Sequence, residues 1–218
     1  LNICEQRYYE QIDTIRRSIA LGDVYQVTYC IKLLFDFFGS AFQLYETLLA
    51  AQPVPYPAFI ETNDFHILSL SPEMFMQKKN TRIITKPMKG TWLRGSGVLD
   101  DCAQRVRFSF DKKNRAENLM ITDLLRNDLG RIGTSIWVPR LFEIAGYKTL
   151  FQMTSTVEAA IEQRVMLKDL FKALFPSGSV TGAPKIKAMQ LIRALETENR
   201  RIYTGAIGYI TPSKDLFF

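Results

Sequence analysis

The sequence predicts an α+β fold, with two β-sheets packed on each other and helices covering the outside, and three observations lead there. Segments with helical apolar spacing are interleaved with β-rich segments that come in pairs. Regular strand–helix–strand alternation is missing, so the order does not read as a parallel, doubly wound sheet. With 47% hydrophobic and 12% aromatic residues, a chain of 218 residues can fill a sizeable core. No internal repeat or low-complexity linker divides it, so residues 1–218 read as a single domain.

The elements follow in order. Tyr8 to Leu21 spaces Ile12, Ile15 and Ile19 as a helix and stops at Gly22-Asp23; Val24 to Tyr29 then reads as a strand. A second helix is predicted over Ala41 to Ala51, after which Pro53, Pro55 and Pro57 forbid one. Ala58–Ile60, His66–Leu70 and Arg82–Thr85 form a strand meander that would place Glu73 and Lys89 beside adjacent strands. Asp100 to Arg131 is helical with a break near Phe110-Asp111; its second half offers Leu119, Met120, Leu124 and Leu125 as an apolar face and ends at Gly130 and Gly133. Ile136–Val138 and Thr149–Val157 are strand-like, Leu167–Phe175 and Pro184–Leu195 are helices, and Ile202–Ile210 is a final strand before a turn at Pro212-Ser213.

Composition narrows the function. The longest apolar stretch, Ile31 to Phe38, is interrupted by Lys32 and Asp36 and is far short of the roughly 20 residues a membrane helix needs. The first residues carry Glu5, Arg7 and Glu10, unlike a secretory signal. Cys4, Cys30 and Cys102 show no Cys-x-x-Cys spacing, and His66 is the only histidine, which leaves no zinc cluster and suits a reducing cytoplasm. The net charge of +6 comes from basic residues mixed with acidic ones, without the aromatic interleaving of a nucleic-acid groove; a small anionic substrate accounts for it equally well.

Two short motifs carry candidate chemistry. Lys89, in Pro87-Met88-Lys89-Gly90-Thr91, pairs with Glu73, in Ser71-Pro72-Glu73, as nucleophile and acid. A lysine attacks carbon only when deprotonated, so its pKa must fall by desolvation or through nearby cations, for which Lys86 and Arg94 are candidates. The bland alternative is an exposed loop lysine.

Gly178-Ser179-Val180-Thr181-Gly182-Ala183-Pro184-Lys185 leads into a helix and offers backbone N–H groups to an anion, although it lacks the P-loop pattern; the plain alternative is a capping turn. Glu117 and Asp123 stand about 1.7 turns apart on one helix, so only one of them can face a given site. Such a carboxylate suits Mg²⁺ held partly by water and substrate, whereas the plain reading is a charged surface helix with Asp123 paired to Arg126.

Taken together, Gly22–Val27, Ser71–Glu73, Lys86–Thr91, Asn114–Arg131, Gln152–Val157, Pro176–Lys185 and Tyr203–Tyr209 resemble the chorismate-utilising enzymes, specifically the branch that forms 4-amino-4-deoxychorismate for para-aminobenzoate and folate. The resemblance spans nearly the whole chain. It implies attack of Lys89 on C2 of chorismate, expulsion of the C4 hydroxyl with a proton from Glu73, and entry of ammonia at C4. Anthranilate-forming members carry a small residue at position 89. Isochorismate- and salicylate-forming members use a water-activating lysine where Gln26 stands, and many members have a histidine at the position of Gln152. The resemblance further implies Glu117 as a ligand of Mg²⁺ and Gly90, Thr91, Tyr203, Gly182 and Ala183 as substrate contacts. The partner it implies is a glutamine amidotransferase that supplies ammonia.

Family members have residues before Leu1 and after Phe218, including a substrate-binding arginine and a second metal glutamate, so the expected domain is truncated at both ends. The competing readings are anthranilate synthase component I and a non-catalytic paralogue that binds the amidotransferase.

Overall fold

Strand β8 (Leu150–Ile161) is the spine of the fold, and its composition explains why. Nearly every residue from Phe151 to Ile161 is buried, because the strand is paired along both flanks and covered on both faces. On one flank it pairs with β7 (Gly133–Gly146), a long strand bent by three register shifts, with Ser135 and Phe142 at positive φ. On the other flank lie two strands placed end to end, β5 (Arg82–Lys86) and β6 (Met88–Leu93). Pro87 joins them; it has no N–H to donate, but its carbonyl accepts from Ser155 N (3.1 Å), so the ladder continues across the junction.

The remaining strands extend this sheet from β5 through β4 (Met74–Lys79) and β11 (Leu216–Phe217) to β10 (Tyr209–Ile210), giving seven strands. Separately, β2 (Tyr56–Glu61) and β3 (His66–Ser71) make a hairpin, and β1 (Gln26–Val27) pairs with β9 (Gly182–Ala183). The computed structural model, which describes residues 1–218, thus bears out the α+β class; its strands are divided into one large sheet and two small ribbons.

Helix α4 (Lys112–Gly130) closes one face of the sheet. Ile121, Leu125 and Leu129 pack with Val157, Ala159, Ile161, Ile83 and Met76 in a buried cluster that also takes Leu170, Ala173 and Leu174 from α5 (Leu167–Leu174). The expected apolar face of α4 is corrected here: Leu119 is 49% exposed, and the buried face carries Asn118, Thr122 and Asp128 among its apolar residues. Those polar groups are hidden because each is hydrogen-bonded, a pattern that apolar spacing does not reveal. The break at Asp111 is found where expected, between α3 (Val98–Phe110) and α4; its carboxylate accepts from Asn114 N at 2.8 Å.

Other elements shift in instructive ways. α1 (Glu5–Ala20) buries Ile15 but leaves Ile19 exposed, and α2 (Ala41–Ala51) lies on the β2–β3 hairpin through Phe42, Tyr45 and Phe59. The strand expected over Val24–Tyr29 pairs only at Gln26–Val27, because its partner β9 is two residues long. The strand expected over Ile202–Ile210 survives only as β10, since Arg201 and Thr204 adopt positive φ and turn the chain there.

Near the end of the chain, α6 (Gly178–Thr181) leads through β9 to α7 (Lys185–Leu195). Lys185 is bound by Asp128 of α4 and donates to Leu174 O at 3.1 Å, in a setting where Asp128 is almost fully buried. Removing one member of such a pair strands a buried charge. Lys185→Met should lower unfolding stability by about 3–5 kcal/mol, and Asp128→Leu/Lys185→Met should regain most of it. Urea titrations of the two variants check this; equal losses in both would mean the pair is not buried as described.

Candidate active site

Lys89 occupies a β-bulge. From Met88 to Thr91 the chain advances three residues while its partner β8 advances two, from Thr154 to Gln152. Gly90 takes φ +101 to make this possible, and a Cβ there would come within 2.9 Å of Asn114 Oδ1, so this position requires glycine on both counts. The bulge turns Lys89 out of the ladder, and its carbonyl is held by Asn118 Nδ2 of α4 at 3.3 Å. Asn118 is itself fixed by Met153 O (3.0 Å), Ser155 Oγ and Thr122 Oγ1.

The Lys89 ammonium nitrogen donates to Thr28 Oγ1 at 3.0 Å. Burial lowers its pKa from the usual lysine value, opposed by Glu73, Glu117 and Cys30 nearby. The cations expected to do this do not take part: Arg94 is engaged by Asp101 and the Tyr147 carbonyl. Desolvation alone outweighs the attraction of the neighbouring carboxylates.

Glu73 lies between β3 and β4 with its Oε1 accepting from Ser179 Oγ of α6 (2.5 Å) and Met88 N (3.4 Å). Burial raises its carboxyl from near 4.5 to about 7, against the lowering effects of those two bonds and of Lys89. A carboxyl titrating near neutrality beside an amine with a lowered pKa is a pair able to serve as acid and nucleophile.

The other expected residues are distributed around this pair. Glu117 faces Lys89 through space, its nearest cation being Lys113 at 3.9 Å. Asp123 points away, paired with Arg126 at 3.0 Å, as the plain reading had it. Thr91 donates to Gln152 Oε1 (3.3 Å) across the β6–β8 pair. Tyr203 is 60% exposed, but its hydroxyl reaches Cys30. Gly182 and Ala183 are buried in the β1–β9 ribbon, where a Cβ on Gly182 would stand 2.1 Å from Gln26 O. Within the Gly178–Lys185 motif, Lys185 is engaged by Asp128, so the motif's capacity for an anion rests on its backbone N–H groups, as expected from the sequence, and not on this ammonium.

A cavity of about 890 Å³ opens between the β2–β3 hairpin and residues 202–209, with Glu73, Ser179 and Tyr203 in its wall. Lys89 is joined to that wall through Thr28, whose hydroxyl donates to Ser179 O (3.2 Å). Thr28, Ser179, Asn118 and Arg200 had no assigned role in the sequence. One signal was present: in a strand through Gln26–Cys30, residues 26, 28 and 30 share a face, so Thr28 and Cys30 accompany Gln26.

This combination of fold and site has known counterparts. The family model for chorismate binding enzymes matches residues 1–218, and the chain belongs to that family. It is 37% identical over 212 residues to aminodeoxychorismate synthase component 1 of Escherichia coli (strain K12), covering 96% of this chain and 47% of that protein. It is 34% identical over 212 residues to anthranilate synthase component 1 of Aquifex aeolicus (strain VF5), covering 96% of this chain and 43% of that one. The solved structure of anthranilate synthase component I from Streptococcus pneumoniae TIGR4 superposes with a TM-score of 0.89 at 33% identity, covering 99% of this chain and 48% of its own. The chain therefore spans about half the length of these relatives. No helix is long and apolar enough to cross a membrane.

Glu73 makes stability depend on pH in a definite direction. Its folded pKa, about 7, exceeds the unfolded value near 4.5, so stability present below pH 4.5 is lost as pH rises through 7. Glu73→Gln should therefore stabilise the protein at pH 8 by about 1–3 kcal/mol and change little at pH 4. Urea unfolding at both pH values checks it; an equal effect at the two would place the Glu73 carboxyl in water.

Proposed function

We propose that this chain is the catalytic core of a chorismate aminase of the aminodeoxychorismate synthase component 1 type, making 4-amino-4-deoxychorismate from chorismate and ammonia. The observation that carries this reading is Lys89, half-buried, with a lowered pKa, next to a Glu73 whose carboxyl sits near 7. The Lys89 amine forms a bond to C2 while the two ring double bonds shift toward C4. The C4 hydroxyl leaves as water with the Glu73 proton. Ammonia then bonds to C4, a proton returns to the carboxylate, and the ring electrons move back to release Lys89.

Burial favours the neutral forms of both groups, which are the forms the first step consumes. Gly90, Thr91 and Tyr203, near Lys89 and Cys30, and Gly182 and Ala183, behind Gln26, are the proposed substrate contacts. For Mg²⁺, Glu117 fits as one oxygen ligand, because its carboxylate is half-buried beside Lys89 and paired only loosely with an exposed lysine. No group of three acidic, histidine or cysteine side chains gathers there, so water and the ring carboxylate of chorismate would complete the shell. When bound, the ion would draw charge toward that ring carboxylate. Ammonia would come from a glutamine amidotransferase partner.

Anthranilate formation is the second reading, supported by the Aquifex relative and the Streptococcus structure. Lys89 separates the two, since direct attack of ammonia at C2 leaves its amine without a task. Incubating the whole protein with chorismate, Mg²⁺ and ammonium, with products resolved by chromatography, should yield 4-amino-4-deoxychorismate. Lys89→Ala should reduce that product by at least about 10³-fold. Anthranilate from the parent protein, or undiminished C4 amination by Lys89→Ala, would overturn the proposal.

A further inference from the structure

Lys89 makes one side-chain hydrogen bond, to Thr28 Oγ1 at 3.0 Å, and the surroundings of Thr28 fix what that bond can be. Thr28 has one hydroxyl proton, and it goes to Ser179 O (3.2 Å). Its oxygen is thereby left to accept, and the Lys89 nitrogen must donate. Thr28 is pinned at its backbone as well: its N–H donates to Thr181 O (2.8 Å), and its carbonyl accepts from Arg200 Nη2 (2.6 Å). A β-branched side chain between two such anchors has little freedom at χ1.

The same Ser179 that receives the Thr28 proton on its carbonyl gives its own hydroxyl proton to Glu73 Oε1 at 2.5 Å. Lys89, Thr28, Ser179 and Glu73 are thus linked in a row by hydrogen bonds, Ser179 taking part through both its carbonyl and its hydroxyl, and each bond joins segments 61 to 151 residues apart. A neutral amine that commits one N–H to a fixed acceptor can turn its lone pair only about that bond.

We propose that Thr28 is a positioning residue for Lys89: its hydroxyl, oriented by Ser179, aims the amine lone pair and sets its distance from the Glu73 acid. This rests on the amination reading above. A neutral acceptor suits the task, because a carboxylate in its place would hold Lys89 as ammonium, whereas a hydroxyl orients it with weaker preference for the charged form. The charged and titratable groups facing Lys89 from the neighbouring elements are Glu73, Glu117 and Cys30, and none of them is hydrogen-bonded to its nitrogen.

The test compares Thr28→Val, which keeps the shape and removes the hydroxyl, with Thr28→Ser, which keeps the hydroxyl. In the whole protein with chorismate and ammonium, Thr28→Val should lower kcat by about 100-fold with KM changed less than about threefold, the signature of lost orientation. Thr28→Ser should return kcat to within about threefold of the parent. A second readout needs no substrate: acetylation of Lys89 by acetic anhydride, followed across pH by mass spectrometry. Loss of the acceptor should move its midpoint to lower pH, and Thr28→Ser should restore it. If Val and Ser variants lose activity alike and the acetylation midpoint stays in place, Thr28 is merely structural and the inference is overturned. If the midpoint moves as expected but the parent protein aminates nothing, the contact stands and the reaction assignment falls.

Discussion

Removal of water from two ionisable side chains is the constraint on which this molecule depends. Burial is the largest influence on both Lys89 and Glu73, and it pushes their pKa values toward each other. In water, a lysine and a glutamate at pH 7 would both be charged; here desolvation disfavours the charged form of each. Each group also lessens the other's shift, since the ammonium attracts the carboxylate. Burial has to exceed that attraction, and only a site with few mobile waters and fixed dipoles does so.

The scaffold supplies that fixity from regular elements rather than from loops. The Lys89 backbone is a bulge on a strand whose partner, β8, is paired on both flanks, and Asn118 of α4 ties the bulge carbonyl to Met153 and Ser155 of the same strand. On the opposite side, Arg200 binds Thr28 O, Val180 O (2.5 Å) and Glu196, while Cys30 N donates to Glu196 Oε1 (3.0 Å). The Arg200–Glu196 pair is largely buried, so it acts as a fixed rivet between the β1 segment, α6 and the end of α7. Two sets of elements, distant in sequence, are each rigid, and Lys89 with Thr28 is where they meet.

How much of this could be read in advance follows from the range of the interactions. Glu73 and Lys89 lie 16 positions apart in one meander, and a local reading placed them beside adjacent strands. Thr28 lies more than a hundred residues from both Ser179 and Arg200, and nothing local distinguishes the three from ordinary polar residues. β4 escaped because Met74-Phe75-Met76-Gln77-Lys78-Lys79 has no β-branched residue, and β6 because Gly90 resembles a turn. The final strand was over-extended because Ile202 to Ile210 is apolar enough, whereas φ at Arg201 and Thr204 is set by tertiary packing. The apolar face of α4 was misplaced for a related reason: Asn118, Thr122 and Asp128 are inside, which only their partners explain.

Because burial, and not a neighbouring cation, tunes Lys89, its chemistry is tied to surface coverage. The chain exposes 13,644 Å², about a third more than the roughly 10,300 Å² typical of a compact protein of its mass. The exposed surface includes large apolar side chains, as in the stretch carrying Leu33, Phe35 and Phe38, the last 93% exposed. The 890 Å³ cavity beside Glu73 adds to it. A cation near Lys89 would fix its pKa locally whatever covered the site, whereas desolvation grows with every layer that excludes water. A layer that closed over Lys89 without bringing charge of its own would drive its pKa further down, and the same layer over Glu73 would drive that carboxyl further up. In the proposed amination, both shifts favour the neutral amine and the protonated carboxyl that its first step consumes, so the same exclusion of water serves both groups.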